Sequence, residues 1–229
     1  MTGNRQNETC WWLVEAAASN EPGAREDFAR NYAPVVRAYL CHRWRRSRHI
    51  ASVDDAVQEL FVECFRSGGM LEKVDATRAG GFRAFLYGAA RNIALRFETR
   101  QARSRELQAA SRFDPDGVVR DETTLSQVFD RSWLESLLRQ AAEEQRRGAE
   151  ERGEDAVRRV ELLQLRFHDE LPFGEIARRW GVDVKWLYRE AARAREEFRE
   201  ALHKIVSLHK PGSQAEVERE CEQLLSLLR

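Results

Sequence analysis

The chain has 229 residues, 42% of them hydrophobic and 33% charged, with 38 basic and 38 acidic side chains. Apolar content of that size fills packed cores, and no apolar run approaches the roughly 20 residues that a membrane-spanning helix needs. Five prolines against abundant Ala, Leu, Glu and Arg predict an all-α fold.

In chain order, a short helix is expected from Trp11 to Ala18. Phe28, Tyr32, Val35, Val36, Tyr39 and Leu40 then recur on one face of a second helix. Ser52-Val-Asp-Asp offers an N-cap and first-turn acids to the next helix, whose stripe is Val53, Val57, Leu60, Phe61, Cys64 and Phe65. That helix stops at Gly68-Gly69, and a polar loop runs to Gly81. Phe82, Phe85, Leu86, Ala89, Ile93 and Phe97 mark a further helix ending near Arg105. Together these predict a helical bundle over residues 10–105. Residues 106–124 hold Asp-Pro-Asp-Gly without periodicity and read as an acidic linker. A second helical domain, 125–206, opens with Leu125, Val128, Phe129, Trp133, Leu134, Leu137, Leu138 and Ala141, and continues with a helix from Val157 to Phe167.

Charge is segmental rather than uniform. Arg37 to Arg48 contains five arginines and no acid, and Arg78 to Arg105 contains seven against Glu98 alone. From Glu106 to Asp155 the balance reverses, with seven arginines against thirteen acids. Such blocks suggest separate roles for separate helices, although solvated helix faces produce similar clustering.

Cys10, Cys41, Cys64 and Cys221 are scattered, without a CxxC pair or a histidine at ligand spacing, so neither a disulfide framework nor a metal site is expected. No phosphate-binding glycine loop, nucleophile elbow or HExxH helix is present, and neither catalytic residues nor a cofactor are assigned. The first residues have no basic segment ahead of an apolar patch, which leads to an expectation of a cytoplasmic protein with no membrane association.

The most informative stretch is Leu171 to Arg189. Pro172 opens a short helix, Gly181 sits at a tight turn and Asp183 is placed to cap a second helix, the pattern of a helix-turn-helix. Ile176, Ala177, Val182 and Leu187 fall where its core needs apolar residues, which leaves Lys185, Trp186, Tyr188, Arg189 and Arg193 for the outer side.

Three segments resemble the extracytoplasmic-function group of bacterial sigma factors. Ser52-Val-Asp-Asp-Ala-Val-Gln-Glu-Leu-Phe61 is similar to the family's region 2.2, and Phe82-Arg-Ala-Phe-Leu-Tyr-Gly-Ala-Ala-Arg-Asn-Ile-Ala-Leu95 to its regions 2.3 and 2.4. Phe173-Gly-Glu-Ile-Ala through Arg195 resembles region 4.2. The helix around Phe129 to Trp133 and a trailing segment at 207–229 resemble a subgroup with an elongated region 4 and a C-terminal extension. Arg96, where the family usually has an acid, and Trp186-Leu187, where many members have Thr-Val, depart from the pattern.

The resemblance implies a protein that joins core RNA polymerase through the β′ clamp and β flap and directs it to promoter DNA, with an anti-sigma factor as a further candidate partner. Asp55, Gln58, Glu59 and Val62, opposite the apolar stripe of their helix, would meet the polymerase. Met70 and Lys73 of the loop, with Arg83, Tyr87, Arg91 and Asn92, would hold the −10 element, where arginines suit phosphates and Tyr and Asn suit unstacked bases. Lys185, Trp186, Tyr188, Arg189 and Arg193 would read the −35 element in the major groove. Tyr87 equally suits packing between helices, and Trp186 equally suits the domain's own core. The alternative is a conventional helix-turn-helix regulator with a helical N-terminal sensor domain.

At the end of the chain, Ser213-Gln-Ala-Glu216 reads as a capping box ahead of the stripe Val217, Cys221, Leu224, Leu225 and Leu228. This amphipathic helix is expected either to dock on the preceding domains and modulate activity or to complete the core of the second one.

Overall fold

The computed structural model describes residues 10–75, 80–107, 117–209, 217–219 and 221–222. The Asp114-Pro-Asp116 turn, the capping box at Ser213–Glu216 and Leu224, Leu225 and Leu228 lie outside the described residues. The fold is all-α, with no strand among the described residues. The described residues divide into two compact units, one built from residues 10–136 with 208–209, the other from 137–207 with 217–219 and 221–222.

In the first unit, α1 (Cys10–Ala18), α2 (Ala24–Arg43), α3 (Val53–Phe65) and α4 (Gly81–Leu107) follow the expected order. The α2 stripe from Phe28 to Leu40 is fully buried, as the 3.6-residue repeat requires. Phe28 is its hub, edge-on to Tyr32, Phe61, Phe65 and Phe82 at ring distances of 4.8 to 5.9 Å. Burying one such ring contributes about 1.5–3 kcal/mol. Arg25 ties two helix ends together, donating from Nε to Ala17 O (3.1 Å) and from Nη2 to Phe65 O (2.8 Å). Those carbonyls belong to last turns, where intrahelical donors run out.

Ser52 occupies the N-cap position of α3, but its side chain makes no capping bond. It is also the last residue of a 3-10 turn (Arg48–Ser52), and its ψ of 10° departs from the extended geometry a capping side chain favours. The expected polar loop contains a second 3-10 turn, Leu71–Lys73, with Leu71 buried and the turn packed against α1.

Residues 108–116 of the expected 106–124 linker lie outside the described residues. The helix α5 (Glu122–Arg152) belongs to the first unit up to Ser136 and to the second from Leu137, so the division between the compact units falls inside a helix. Phe129 packs edge-on against Tyr39 and Tyr87, and Trp133 stacks on Tyr32 at 5.7 Å, which places the helix start in the first unit's core. Val119 N donates to Arg43 O at 2.7 Å, fixing the strand of chain that leads into α5. Gly117 in that segment has φ +60°, and a Cβ there would lie 2.1 Å from Arg46 O, so no other residue fits without backbone movement.

The second unit contains the rest of α5, then α6 (Glu154–Leu163), a π-helical turn (Gln164–His168), α7 (Phe173–Trp180) and most of α8 (Val184–His209). Leu162, Ile176, Ala177, Leu187 and Ala191 form its buried cluster, with Val182 and Trp186 packed against it. Val217 and Cys221 are buried and belong to this unit.

Candidate functional site

The α7–α8 pair begins with local chemistry. Gly181 closes α7 in the left-handed conformation (φ 64°, ψ 36°) that glycine adopts without a Cβ penalty. Asp183 then accepts from the backbone N–H groups of Lys185 (2.8 Å) and Trp186 (3.1 Å), the bonds of a side-chain N-cap. Leu187 is buried, which turns Lys185, Tyr188 and Arg189 to the surface. Arg193, one turn on, is exposed and paired with Glu190 at 2.9 Å. Trp186 is half-buried, with the Arg158 guanidinium 5.5 Å from its ring and 4.7 Å from that of Trp180. Of the five residues assigned to this face, four are exposed and Trp186 closes the core.

An aromatic cluster beside them has no counterpart in the sequence reading. Phe173 and Tyr188 lie with ring centroids 4.6 Å apart, and Arg166 sits 5.7 Å from both Phe167 and Phe173. Phe167 is 61% exposed and Tyr188 54% exposed. The π-helical turn shifts Phe167 off the regular helical face, a displacement that periodicity cannot signal.

On the first unit, Asp55, Gln58 and Val62 are exposed on α3, with Val62 at 59%. Gln58 and Val62 help line an open hollow of about 390 Å³ completed by Arg25, Phe61, Phe65 and Arg66. Glu59, assigned to the same surface, is already engaged: it pairs with Arg100 at 2.8 Å and Arg96 at 3.6 Å. Arg96, the departure noted in the sequence, thus meets Glu59 and Glu63 of α3.

The outer face of α4 brings together Arg83, Tyr87 and Arg91 at successive turns, with Asn92 exposed beside them. Met70 is half-buried and Lys73 exposed on their 3-10 turn. Glu98, the one acid in this basic stretch, is withdrawn from the surface and takes a two-pronged bond from Arg43 and a third, at 2.9 Å, from Trp44 Nε1.

The arginine-bearing face is met by acids of α5. Arg83 pairs with Asp130 through Nε at 2.8 Å, and Arg91 Nε donates to Glu122 at 3.1 Å. The Tyr87 hydroxyl donates to the other Glu122 oxygen at 2.7 Å. Partial burial opposes ionisation of Glu122, but the bonds from Tyr87 and Arg91 and the nearby charge of Arg43 outweigh it and hold its pKa below the ordinary value. Tyr87 is shifted the opposite way by burial and by Glu122. Its ring is half-buried against Tyr39 and Phe129, so it packs between helices while its hydroxyl stays at the surface.

No protein-family model matches this chain, and no curated protein matches it. Exposed Lys185, Tyr188 and Arg189 at the start of a capped helix can contact base edges, and the α4 arginines, once uncovered, can contact phosphates. No helix among the described residues is long and apolar enough to cross a membrane.

Proposed function

We propose that the chain is a sigma factor of the extracytoplasmic-function group, a non-enzymatic cytoplasmic protein that binds core RNA polymerase and directs promoter recognition and opening. The observation that carries the reading is the pairing of two dissimilar nucleic-acid faces in one chain. One is a capped helix start with Lys185, Tyr188 and Arg189 exposed. The other is a helix face with Arg83, Tyr87, Arg91 and Asn92, suited to phosphates and unstacked bases. A duplex reader needs only the first. The exposed Val62 and the hollow beside Gln58 supply a third, apolar surface suited to a protein partner.

The α4 face is occupied by carboxylates in the free chain, which favours a second reading: a conventional regulator whose DNA contact is the helix-turn-helix alone. Mixing the protein with core polymerase separates the two. A sigma factor co-elutes stoichiometrically and supports transcription from a promoter library, whereas a regulator binds duplex DNA tightly without polymerase and restores no initiation.

A further inference from the structure

We infer that the start of α5 is an autoinhibitory latch whose carboxylates stand in for nucleic-acid phosphates on α4, an inference that rests on α4 being a DNA-binding face. The contacts are matched in register. Arg83 and Arg91 are eight residues apart on α4, and their partners Asp130 and Glu122 are eight residues apart on α5 in the opposite direction. Eight residues span about 12 Å of helix, so one carboxylate meets each arginine along the whole face. Tyr87, midway between the arginines, donates its hydroxyl to Glu122, so three of the four groups suited to a nucleic acid are engaged at once, and Asn92 stays exposed beside them.

The latch has an apolar anchor and a polar contact of different strength. Leu125, Phe129 and Leu134 are fully buried and Trp133 nearly so, which fixes the segment on the first unit. The ion pairs are partly solvated: Arg83 and Asp130 expose 37% and 30% of their side chains, Arg91 and Glu122 46% and 48%. Pairs this exposed are weakened by salt and exchange readily for other anions. A polyanion that also offers stacking competes for them when it is held nearby. Free single-stranded DNA must displace them unaided. The device therefore lowers promiscuous DNA binding by the free protein.

Anisotropy titrations of the full chain with a labelled mixed-sequence single-stranded oligonucleotide, at about 0.1 M salt where the screening length is about 10 Å, test it. Glu122→Gln with Asp130→Asn is expected to bind on the order of ten-fold tighter than wild type. Its salt dependence should steepen by up to about 1.4 log units per decade, the value for two regained phosphate contacts. Glu26→Gln with Asp27→Asn removes the same charge from α2, where both acids pair with Arg30, and is expected to bind as wild type does. Adding Arg83→Ala and Arg91→Ala to the latch variant should erase the gain. Far-UV circular dichroism confirms that each variant is folded, and Glu122→Gln alone gives a milder version with a smaller gain.

Equal gain in the α2 control, or a gain that survives removal of both arginines, overturns the latch. So does an absence of gain in a folded latch variant. In that last case, promoter opening by reconstituted polymerase separates the two failures. If Arg83→Ala with Arg91→Ala abolishes opening, the α4 face binds DNA and only the latch is wrong. If opening is unchanged, the reading of the face falls with it.

Discussion

Arg43 on α2 grips Glu98 on α4 with two parallel bonds, Nε to Oε1 at 2.7 Å and Nη2 to Oε2 at 3.0 Å, and only 3% and 11% of the two side chains is exposed. Trp44 Nε1 adds a third bond to the same carboxylate. Removing Glu98 leaves the buried Arg43 with only the longer Glu122 contact, at 3.9 Å, and the Tyr39 hydroxyl, which costs far more than losing a surface pair. Glu98→Ala is expected to destabilise the first unit by about 3–5 kcal/mol, measured by urea unfolding. A loss under 1 kcal/mol, the range of solvated pairs, would contradict the burial argument.

Leu187 and Arg189 separate stability from recognition in the helix-turn-helix. Leu187 is fully buried and Arg189 exposed on the same turn of α8. Leu187→Ala should cost about 2–5 kcal/mol of stability. Arg189→Ala should leave unfolding within about 0.5 kcal/mol of wild type. It should weaken upstream promoter recognition by roughly 1–3 kcal/mol if the guanidinium takes a base in bidentate fashion. Competition assays with promoter variants read this out. Unchanged affinity and unchanged preference would remove Arg189 from the reading face.

Val62 is the corresponding probe of the proposed polymerase surface. It is 59% exposed, so Val62→Glu has no core to disturb and should leave stability almost unchanged. A buried carboxylate at an apolar interface is costly, so polymerase binding should fall at least ten-fold. Glu59 is a poorer probe, because replacing it also removes the Arg100 pair and leaves Arg96 with Glu63 alone. Undiminished co-elution of Val62→Glu with polymerase would move the partner surface elsewhere.

Glu122 carries the pH dependence of the α4–α5 contact. Its pKa is depressed in the folded state, so its contribution is present above the ordinary glutamate value of about 4.3 and is lost as pH falls through the folded value. Carboxyl NMR should show Glu122 titrating below that ordinary value. Tyr87→Phe removes one of its donors and should move the midpoint upward. A midpoint indifferent to Tyr87 would mean the hydroxyl contact is not made in solution.

Cys64 should be chemically silent. Burial, with a smaller push from Glu63, raises its thiol to about 12. Roughly one molecule in ten thousand is then thiolate at pH 8, and the thiolate is the reactive form. Alkylation followed by peptide mass analysis should label Cys64 only after unfolding. Labelling in the native state at the rate of half-buried Cys41 would contradict this.

What the sequence by itself determined was local. The α2 stripe, the extent of α4, the start of α7 and the Gly181–Asp183 turn were legible because periodicity, caps and left-handed glycines act within a few residues, whereas α3 ends at Phe65, ahead of the expected Gly68-Gly69, and Ser52 does not cap it. Exposure of Lys185, Tyr188 and Arg189 followed from the same local geometry once Leu187 was assigned to the core. Tertiary structure decided which charges meet. Arg43 and Glu98 are 55 residues apart, Arg83 and Asp130 47, and nothing at either position marks its partner. The 3.6-residue repeat says which face of a helix is buried, not against what. For that reason the unbroken stripe from Leu125 to Ala141 concealed a division at Ser136: its first half belongs to one compact unit and its second half to the other. Distance in sequence and the uniformity of a helical stripe are the physical reasons that the covering of the α4 face belongs to the folded molecule alone.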